Sequence, residues 1–345
     1  MAVYKIFPEK DTFLSSEPTI ANLYRNAGKD PVIELAGYPD LNYVGRTHRI
    51  LTQFSTTDIN SALDLANPAV TCSLKLYTAN ASELPTEYTI QAYPISSSWI
   101  AGNSMLADEP VMATGATWIK RDLDNSWTNP GGDYLNEYSA STTYNNPDNT
   151  DVSLDVTSFI NAISSSTIDN NGLLIKFEDT YENYTSQSIN LSFFGKDSHT
   201  IFKPFLEFGW NDFSYSIGSL STLTTDNAII NTSNLKEHYK NKNTPVKIRL
   251  TSRPQFSDST FVTSSVKTNY VLPQSSYWSV KDSFTGTTIV NYSENTKISA
   301  DSTGSYFNVY MNSFSPQRYY IFEFKTTIDG STLYFEDNKP FKVVI

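Results

Sequence analysis

A cluster of acidic side chains lies in one polar stretch of the sequence. Asp122, Asp124 and Asp133 fall close together, with Asn125 between them and Glu137 just beyond. Paired carboxylates about 5–9 Å apart are the catalytic groups of most glycosidases, and clustered carboxylate and carbonyl oxygens also suit Ca²⁺. Asp and Asn equally bond their own backbone in solvated turns. We expect such a solvated loop, with no metal or cofactor, and retain Ca²⁺ as the alternative.

Aromatic side chains accompany these carboxylates. Trp127 lies in a polar run from Asn125 to Gly132, and we expect its ring to be exposed. An exposed ring beside carboxylate and amide groups could stack on a sugar and bond its hydroxyls, since Trp combines an apolar body with a polar tip. The predicted ligand-binding residues are Trp127, Asp122, Asp124, Asn125 and Asp133.

The same stretch could instead form a protein–protein contact. Trp and Tyr anchor many interfaces, and the loop-rich residues 100–150 supply Trp127, Tyr134, Tyr138 and Tyr144. We favour this interface over a sugar site. Deletion of residues 122–146 is then expected to leave the thermal transition nearly intact.

Signatures of catalysis are absent from the sequence. It has no phosphate-binding loop, dinucleotide fingerprint, zinc-protease motif or nucleophile elbow. His48, His199 and His238 show no ligand spacing, and Cys72 alternates with apolar residues like a small buried hydrophobe. We therefore expect no catalytic residues and predict that the protein is not an enzyme.

Composition and charge narrow the class of protein. Aromatic residues reach 14% and charged residues only 18%, a balance that favours β-structure over helices or disorder. The net charge of −11 disfavours binding to nucleic acids and to anionic membranes. One cysteine excludes an intramolecular disulfide, and the first ten residues do not look like a secretion signal. We expect folding in a reducing cytosol and no membrane insertion.

Period-two alternation predicts short antiparallel strands. A dense apolar strand gives way to Asn211-Asp212, which places a domain boundary near residues 209–217, with a softer one near 235–245. We predict domains 1–210 and 211–345. Short helices are predicted near residues 57–65, 155–163 and 234–239, and long loops over 100–150 and 178–187. The alternating runs are residues 72–76, 88–92, 173–177, 189–193, 246–250, 307–311 and 320–324.

The order of motifs in residues 5–210 resembles the disaggregatase-related (DNRLRE) β-sandwich domain, a jelly-roll relative of carbohydrate-binding modules. The matching pieces follow one another along the chain, and no ligand residue of the family transfers to this sequence. They are Lys10-Asp11-Thr12-Phe13-Leu14, Asn26-Ala27-Gly28-Lys29-Asp30, Val32-Ile33-Glu34-Leu35, Arg46, Ile50-Leu51-Thr52-Gln53-Phe54, Leu74-Lys75-Leu76-Tyr77, Ile95-Ser96-Ser97-Ser98-Trp99, Gly115-Ala116-Thr117-Trp118, Leu154-Asp155-Val156-Thr157, Asn171-Gly172-Leu173-Leu174-Ile175 and Pro204-Phe205-Leu206-Glu207.

The resemblance implies an N-terminal jelly-roll-like antiparallel sandwich. The run Phe194–Thr200 is similar to the form of this domain in virion structural proteins of large tailed bacteriophages. It implies a non-enzymatic virion protein that contacts other virion proteins as a homo-oligomer or symmetric array. The alternative is a carbohydrate-binding adhesin module that contacts host glycans. Residues 211–345 resemble no family, and their strands are compatible with a smaller, immunoglobulin-like sandwich.

Overall fold

A computed structural model of the chain describes residues 2–16, 24–38, 46–65, 70–82, 87–110, 114–144, 151–182, 188–256 and 270–345. In these residues the protein is all-β, which confirms the predicted fold class. All seven alternating runs fall on strands, although the sixth ends at Tyr310 because Met311 begins a 3₁₀ turn. Among the helices that the structure describes, none is long and apolar enough to cross a membrane.

The chain divides into two compact units. The N-terminal unit comprises Ile6–Leu65 and Thr71–Glu207, and the C-terminal unit comprises Phe208–Ile345 together with residues 2–5 and Val70. The first strand of the chain therefore belongs mainly to the C-terminal unit. No local pattern in the sequence indicates this, because pairing between distant strands depends on tertiary packing rather than on propensity.

The described strands from the start of the chain to Trp210 are β1 (Ala2–Ile6), β2 (Lys10–Ser15), β3 (Val32–Tyr38), β4 (Arg46–Gln53), β5 (Val70–Leu76), β6 (Thr78–Ser82), β7 (Tyr88–Pro94), β8 (Ala140–Tyr144), β9 (Val152–Asp155), β10 (Leu173–Phe177), β11 (Ile189–Phe194) and β12 (Phe205–Trp210). The N-terminal unit is built on an eight-stranded antiparallel sheet in the order β6-β11-β3-β4-β10-β7-β8, with β2 beside β4. In a second sheet, β5 lies between β9 and β12.

Among the described residues, three short helices connect these strands: α1 (Thr56–Leu65), α2 (Thr157–Ser164) and α3 (Asp179–Glu182). The first two confirm the predicted helices near 57–65 and 155–163. The prediction of one long loop over 100–150 was wrong at its end, because β8 pairs with β7 across Ala140–Tyr144. In the predicted loop 178–187, α3 forms a turn of helix, and residues 183–187 lie outside the described residues.

The C-terminal unit is a sandwich of two sheets. Its described strands are β13 (Ala228–Thr232), β14 (His238–Lys240), β15 (Pro245–Pro254), β16 (Tyr277–Asp282), β17 (Thr288–Val290), β18 (Ser299–Asp301), β19 (Gly304–Tyr310), β20 (Tyr319–Ile328), β21 (Ser331–Glu336) and β22 (Phe341–Val344). One sheet has the order β13-β15-β19-β18, and the other has the order β14-β22-β20-β16-β17 with β21 beside β20. The predicted helix near 234–239 is not formed, because β14 pairs in parallel with β22 there.

Aromatic side chains fill the core between these two sheets. Trp278 of β16 stacks on Phe307 of β19 with ring centroids 5.1 Å apart, and Phe322 of β20 meets Phe307 edge-on at 5.1 Å. Such ring pairs stabilise a core beyond the burial of their area. The alternation of β16 and β20 that buries these rings necessarily turns the intervening side chains outward.

Candidate functional site

One face of the eight-stranded sheet is covered by an irregular segment, residues 95–138, that we call the aromatic loop. The register Leu174↔Leu51 places these two leucines side by side on that face. They pack with Leu14 against Trp99 and Trp127 of the loop. The tryptophans thus act as core residues that attach the loop to the sheet, rather than as rings presented to solvent. Residues 111–113 of this loop lie outside the described residues.

Trp127 is buried, with 4% of its surface exposed. Its indole Nε1 donates to the carbonyl oxygen of Thr117 at 3.0 Å, and its backbone nitrogen donates to the carbonyl of Ile119 at 2.9 Å. The prediction of an exposed Trp127 was wrong. Its polar neighbours in sequence are themselves exposed, so composition indicated solvent, while the ring turns inward to the apolar patch on the sheet.

Asp122 organises a turn. Its Oδ1 accepts hydrogen bonds from the backbone nitrogens of Asp124 at 2.9 Å and Asn125 at 2.7 Å. The bonds from Asn125, backbone and side chain, hold the pKa of Asp122 below its usual range. Asp124 and Asn125 are exposed at the tip of this turn. The carboxylate of Asp122 is therefore engaged in the solvated-turn geometry that the sequence favoured.

Asp133 organises a second turn and is 8% exposed. Its two carboxylate oxygens accept from the backbone nitrogens of Thr128 and Asn129, both at 2.7 Å. The predicted sugar-binding residues thus belong to two separate turns and a buried ring, and the structure does not assemble them around an open stacking surface. Among the described residues, no group of three or more His, Cys, Asp or Glu side chains is placed to hold a metal ion.

The four predicted interface residues have different surroundings. Tyr134 is half-buried and packs on Tyr93 with ring centroids 4.7 Å apart, and Tyr138 is half-buried beside Phe159. Tyr144 is 2% exposed at the end of β8, and Trp127 is buried as described. Deletion of 122–146 would remove β8 and a core tryptophan, so the expectation that the thermal transition survives it is not supported by this geometry.

Other side chains of the aromatic loop face solvent. Ile100 is 49% exposed and Leu123 is 54% exposed. The backbone nitrogen of Ile100 donates to the carbonyl of Arg121, two residues before Leu123, at 3.0 Å. We call Ile100 and Leu123 the loop patch. The sequence did not predict the loop patch. Ile100 follows the buried Trp99 in an irregular segment, and no periodicity there indicates which of the two side chains points inward.

The loop is tied to the unit by Asn26, which is 1% exposed. Its amide Nδ2 donates to the carbonyl of Ala101 at 2.6 Å and to that of Ala116 at 2.9 Å. Its Oδ1 accepts from the backbone nitrogen of Gly28 at 3.2 Å. One buried side chain therefore satisfies backbone groups of two parts of the loop, as buried polar groups require.

A charge network, largely buried except for Asp179, lies beside the same face. Arg49 donates from Nε and Nη2 to the two carboxylate oxygens of Glu182, each at 2.8 Å, and Lys176 lies 3.1 Å from Glu182. Lys176 also pairs with Asp179. Burial alone would lower the pKa of Lys176, but Glu182 and Asp179 outweigh it and raise that pKa. The network holds two cations against two carboxylates, so it is a structural tie.

His48 takes part in a hydrogen-bonded series that sequence reasoning also missed. Its Nε2 lies 2.9 Å from Ser15 Oγ and its Nδ1 lies 3.2 Å from Glu34 Oε2. The residue types and order match a nucleophile, base and orienting acid. Ser15 and His48 are only 2% and 6% exposed, however, and they face each other directly in the β2–β4 register. The series links three neighbouring strands.

A cleft of about 560 Å³ opens beside Glu34 and is lined by Phe13, Arg25, Asp30 and Glu109 among others. Arg25 bonds Glu109 and the carbonyls of Leu106 and Asp108. Burial raises the pKa of Asp30, whose carboxylate accepts from the backbone nitrogen of Leu106 at 2.9 Å. Each of these charged groups already has a protein partner in the cleft.

No family model and no curated protein matches the chain. Among solved structures, a β-glucuronidase from Bacteroides uniformis aligns over 99% of this chain and 35% of its own length, at 8% identity and a TM-score of 0.20. A DUF4785 family protein from Legionella pneumophila aligns over 98% and 65%, at 10% identity and a TM-score of 0.19. This chain thus spans about a third of the first of these proteins, and likeness at such scores does not establish a shared fold.

Proposed function

We propose that this chain is a non-enzymatic structural protein of a tailed-bacteriophage virion and that it assembles through the aromatic loop. The observation that carries the assembly role is the loop patch, where Ile100 and Leu123 are about half exposed on a segment fixed by buried anchors. The virion assignment rests on the order of motifs in residues 5–210.

The loop patch is held rigidly before any partner arrives. Arg121 donates from Nη1 to the carbonyl of Ser98 at 2.9 Å, and Ala116 donates from its backbone to the carbonyl of Ile100 at 2.7 Å. Ordering a flexible segment on binding costs affinity, so a pre-organised loop retains more of the contact energy. Trp127 and Asp133, expected to touch a ligand, serve to build this rigidity instead.

Basic groups border the patch. Lys120 donates from Nζ to the carbonyl of Leu123 at 2.9 Å, and Arg121 lies between them in the sequence. Arg is one of the residue types enriched among the residues that dominate binding at interfaces. A partner surface that combines an apolar depression with acidic rim groups would complement this arrangement, and this acidic chain can itself supply such rim groups in a homo-oligomer.

The carbohydrate-binding alternative is weaker for this loop, since its only predicted stacking ring is buried. A glycan site in this protein needs another exposed aromatic surface. The assembly role and a glycan role can coexist in one subunit, because they use different side chains.

The experiment places two negative charges on the loop patch. Phage particles whose genome encodes this chain are grown with either the parent or the double variant Ile100→Asp/Leu123→Asp, and gradient-purified particles are analysed by mass spectrometry. We expect the parent chain at fixed stoichiometry and the variant absent from particles. Light scattering of the purified chains should show loss of any self-association.

The matched control is Asn136→Asp, which adds a charge at an exposed position of the same loop. It should assemble like the parent. Absence of the parent chain from particles would overturn the virion proposal, and normal incorporation of the double variant would overturn the role of the patch.

A further inference from the structure

The outer face of the six-stranded sheet in the C-terminal unit carries a row of tyrosines. Tyr277 of β16 and Tyr334 of β21 both pair with Lys325 of the intervening β20. Paired residues point to the same face, and their neighbours Trp278 and Phe324 fill the core beneath. The two tyrosines therefore flank Lys325 on the side away from the core.

Tyr292, which follows β17, completes this surface. Its hydroxyl donates to Glu323 Oε2 at 2.8 Å, and its ring centroid lies 6.0 Å from that of Tyr334. The ammonium of Lys325 lies 5.8 Å from the ring of Tyr292 and 6.0 Å from the ring of Tyr277. We call Tyr277, Tyr292 and Tyr334, with Lys325 and Glu323, the tyrosine face.

The tyrosine face is accessible to solvent, and hydrogen bonds hold part of it in place. Tyr334 is 60% exposed, and Tyr277 and Tyr292 are half-buried. Glu323 also accepts from Lys281 Nζ at 2.7 Å, and Tyr277 donates to Glu294 Oε1 at 2.9 Å. The hydroxyls of Tyr277 and Tyr292 are therefore held in place by these bonds, and the ring of Tyr334 offers the largest exposed aromatic surface of the three.

We infer that the tyrosine face binds a neutral oligosaccharide. Tyrosine offers an apolar ring for the C–H face of a sugar and a polar tip for its hydroxyls. Lys325 can donate to sugar oxygens, while Glu323 and the exposed Glu336 opposite it in the ladder can accept from hydroxyls. The tyrosine face carries both positive and negative side chains, so it does not select an anionic ligand.

The arrangement of charges argues for a sugar over a protein partner. Protein–protein interface centres are depleted in Lys and Glu, whereas here Lys325 and Glu323 lie at the middle of the aromatic row. Adjacent strands are about 4.8 Å apart, so Tyr277 and Tyr334 are separated by roughly 10 Å across β20. This spacing fits several sugar rings in line better than one ring.

This site lies outside the residues on which the assembly proposal depends, so each can fail alone. A shallow face with three rings would bind a single chain weakly, at about millimolar Kd. Presentation in many copies raises apparent affinity by roughly 10²–10⁴, which a symmetric array of subunits would provide.

The test uses the full chain, multimerised on streptavidin, against an array of neutral oligosaccharides that includes cellohexaose, maltohexaose and chitohexaose. Any ligand found is then titrated by calorimetry. We expect Tyr334→Ala to weaken binding by about tenfold, the upper range for one stacking ring. Tyr334→Phe keeps the ring and should lose less than the alanine variant.

The matched control is Phe284→Ala, which removes a 95% exposed ring that is not part of the tyrosine face. It should bind like the parent. Circular dichroism and the thermal transition confirm that each variant is folded. A blank array with the multimerised parent overturns the inference, as does binding that Tyr334→Ala and Tyr277→Ala both leave unchanged.

Discussion

Arg49 and Glu182 form a bidentate ion pair beside the aromatic loop, with both nitrogen–oxygen distances at 2.8 Å and side chains only 15% and 5% exposed. Arg49 also donates from Nη1 to the carbonyl of Gly131 at 3.1 Å, and its guanidinium lies 5.2 Å from the ring of Trp118. One pair thus connects β4, α3 and two parts of the loop. Removal of this ion pair should therefore destabilise all of these elements.

The first prediction concerns this pair. Glu182→Gln leaves Arg49 and the 1% exposed Lys176 without their shared carboxylate. Breaking a buried pair from one side costs about 3–5 kcal/mol, so the urea midpoint of the N-terminal unit should fall markedly. The control is Asp197→Asn, since the Lys29–Asp197 pair is 47% and 27% exposed and should contribute at most about 1 kcal/mol. Equal midpoints for the two variants would contradict the buried geometry.

The second prediction concerns Trp127. Because its ring fills the core between sheet and loop, Trp127→Ala should cost about 3–5 kcal/mol of unfolding free energy. Leu123→Ala, four residues earlier and 54% exposed, should change it by about 0.5 kcal/mol or less. Chemical denaturation followed by fluorescence and circular dichroism measures both. A neutral Trp127→Ala would mean that the ring does not pack against the sheet.

The sequence predicted the fold class well because alternation is a local signal. Runs such as Leu173–Phe177 and Tyr319–Ile328 are long enough for period two to identify strands and their buried face. The helices near Thr57 and Asp155 were predicted on the same local grounds. Pairing between distant strands was not predictable, because nothing local relates β1 to the C-terminal unit or Tyr277 to Tyr334.

Only part of the candidate site could be predicted from local sequence patterns. Polar neighbours suggested that Trp127 is exposed, yet an irregular loop has no period from which to infer a direction. The turn chemistry of Asp122 was predictable, since Asp bonds to backbone nitrogens two and three residues ahead. The tie between Arg49 and Glu182 spans 133 residues and required the tertiary structure.

The third prediction concerns pH. Burial raises the pKa of Asp11 to about 6 from 3.8, although the backbone nitrogen of Lys196 donates to it and opposes the rise. The folded state therefore binds this proton more tightly than the unfolded chain does. The contribution of Asp11 to stability is complete below about pH 4 and is lost as pH rises through about 6, by about 3 kcal/mol at most.

Asp11→Asn keeps an oxygen acceptor without the titration, so the fall in stability of the N-terminal unit between pH 4.5 and 7 should become smaller than in the parent. Urea unfolding at half-unit intervals measures this slope. Asp124→Asn, at an exposed position, should retain the parent slope. If the slope is identical in Asp11→Asn and the parent, burial does not raise the pKa of Asp11.

The last prediction concerns how the loop patch is held. Asn26 donates to the carbonyls of Ala101 and Ala116, and Asn26→Ala leaves the part-buried carbonyl of Ala101 and the buried carbonyl of Ala116 without this donor. An unsatisfied buried group costs about 1–3 kcal/mol, enough to release the loop locally while the strands persist. Hydrogen exchange should therefore become faster at the amides of Ile100 and Ala116, with protection in β10 unchanged. If the rigid patch mediates assembly, this variant should also enter particles poorly although Ile100 and Leu123 remain. Unchanged exchange at Ile100 would show that Asn26 does not fix the patch, and normal assembly with fast exchange would show that rigidity is dispensable.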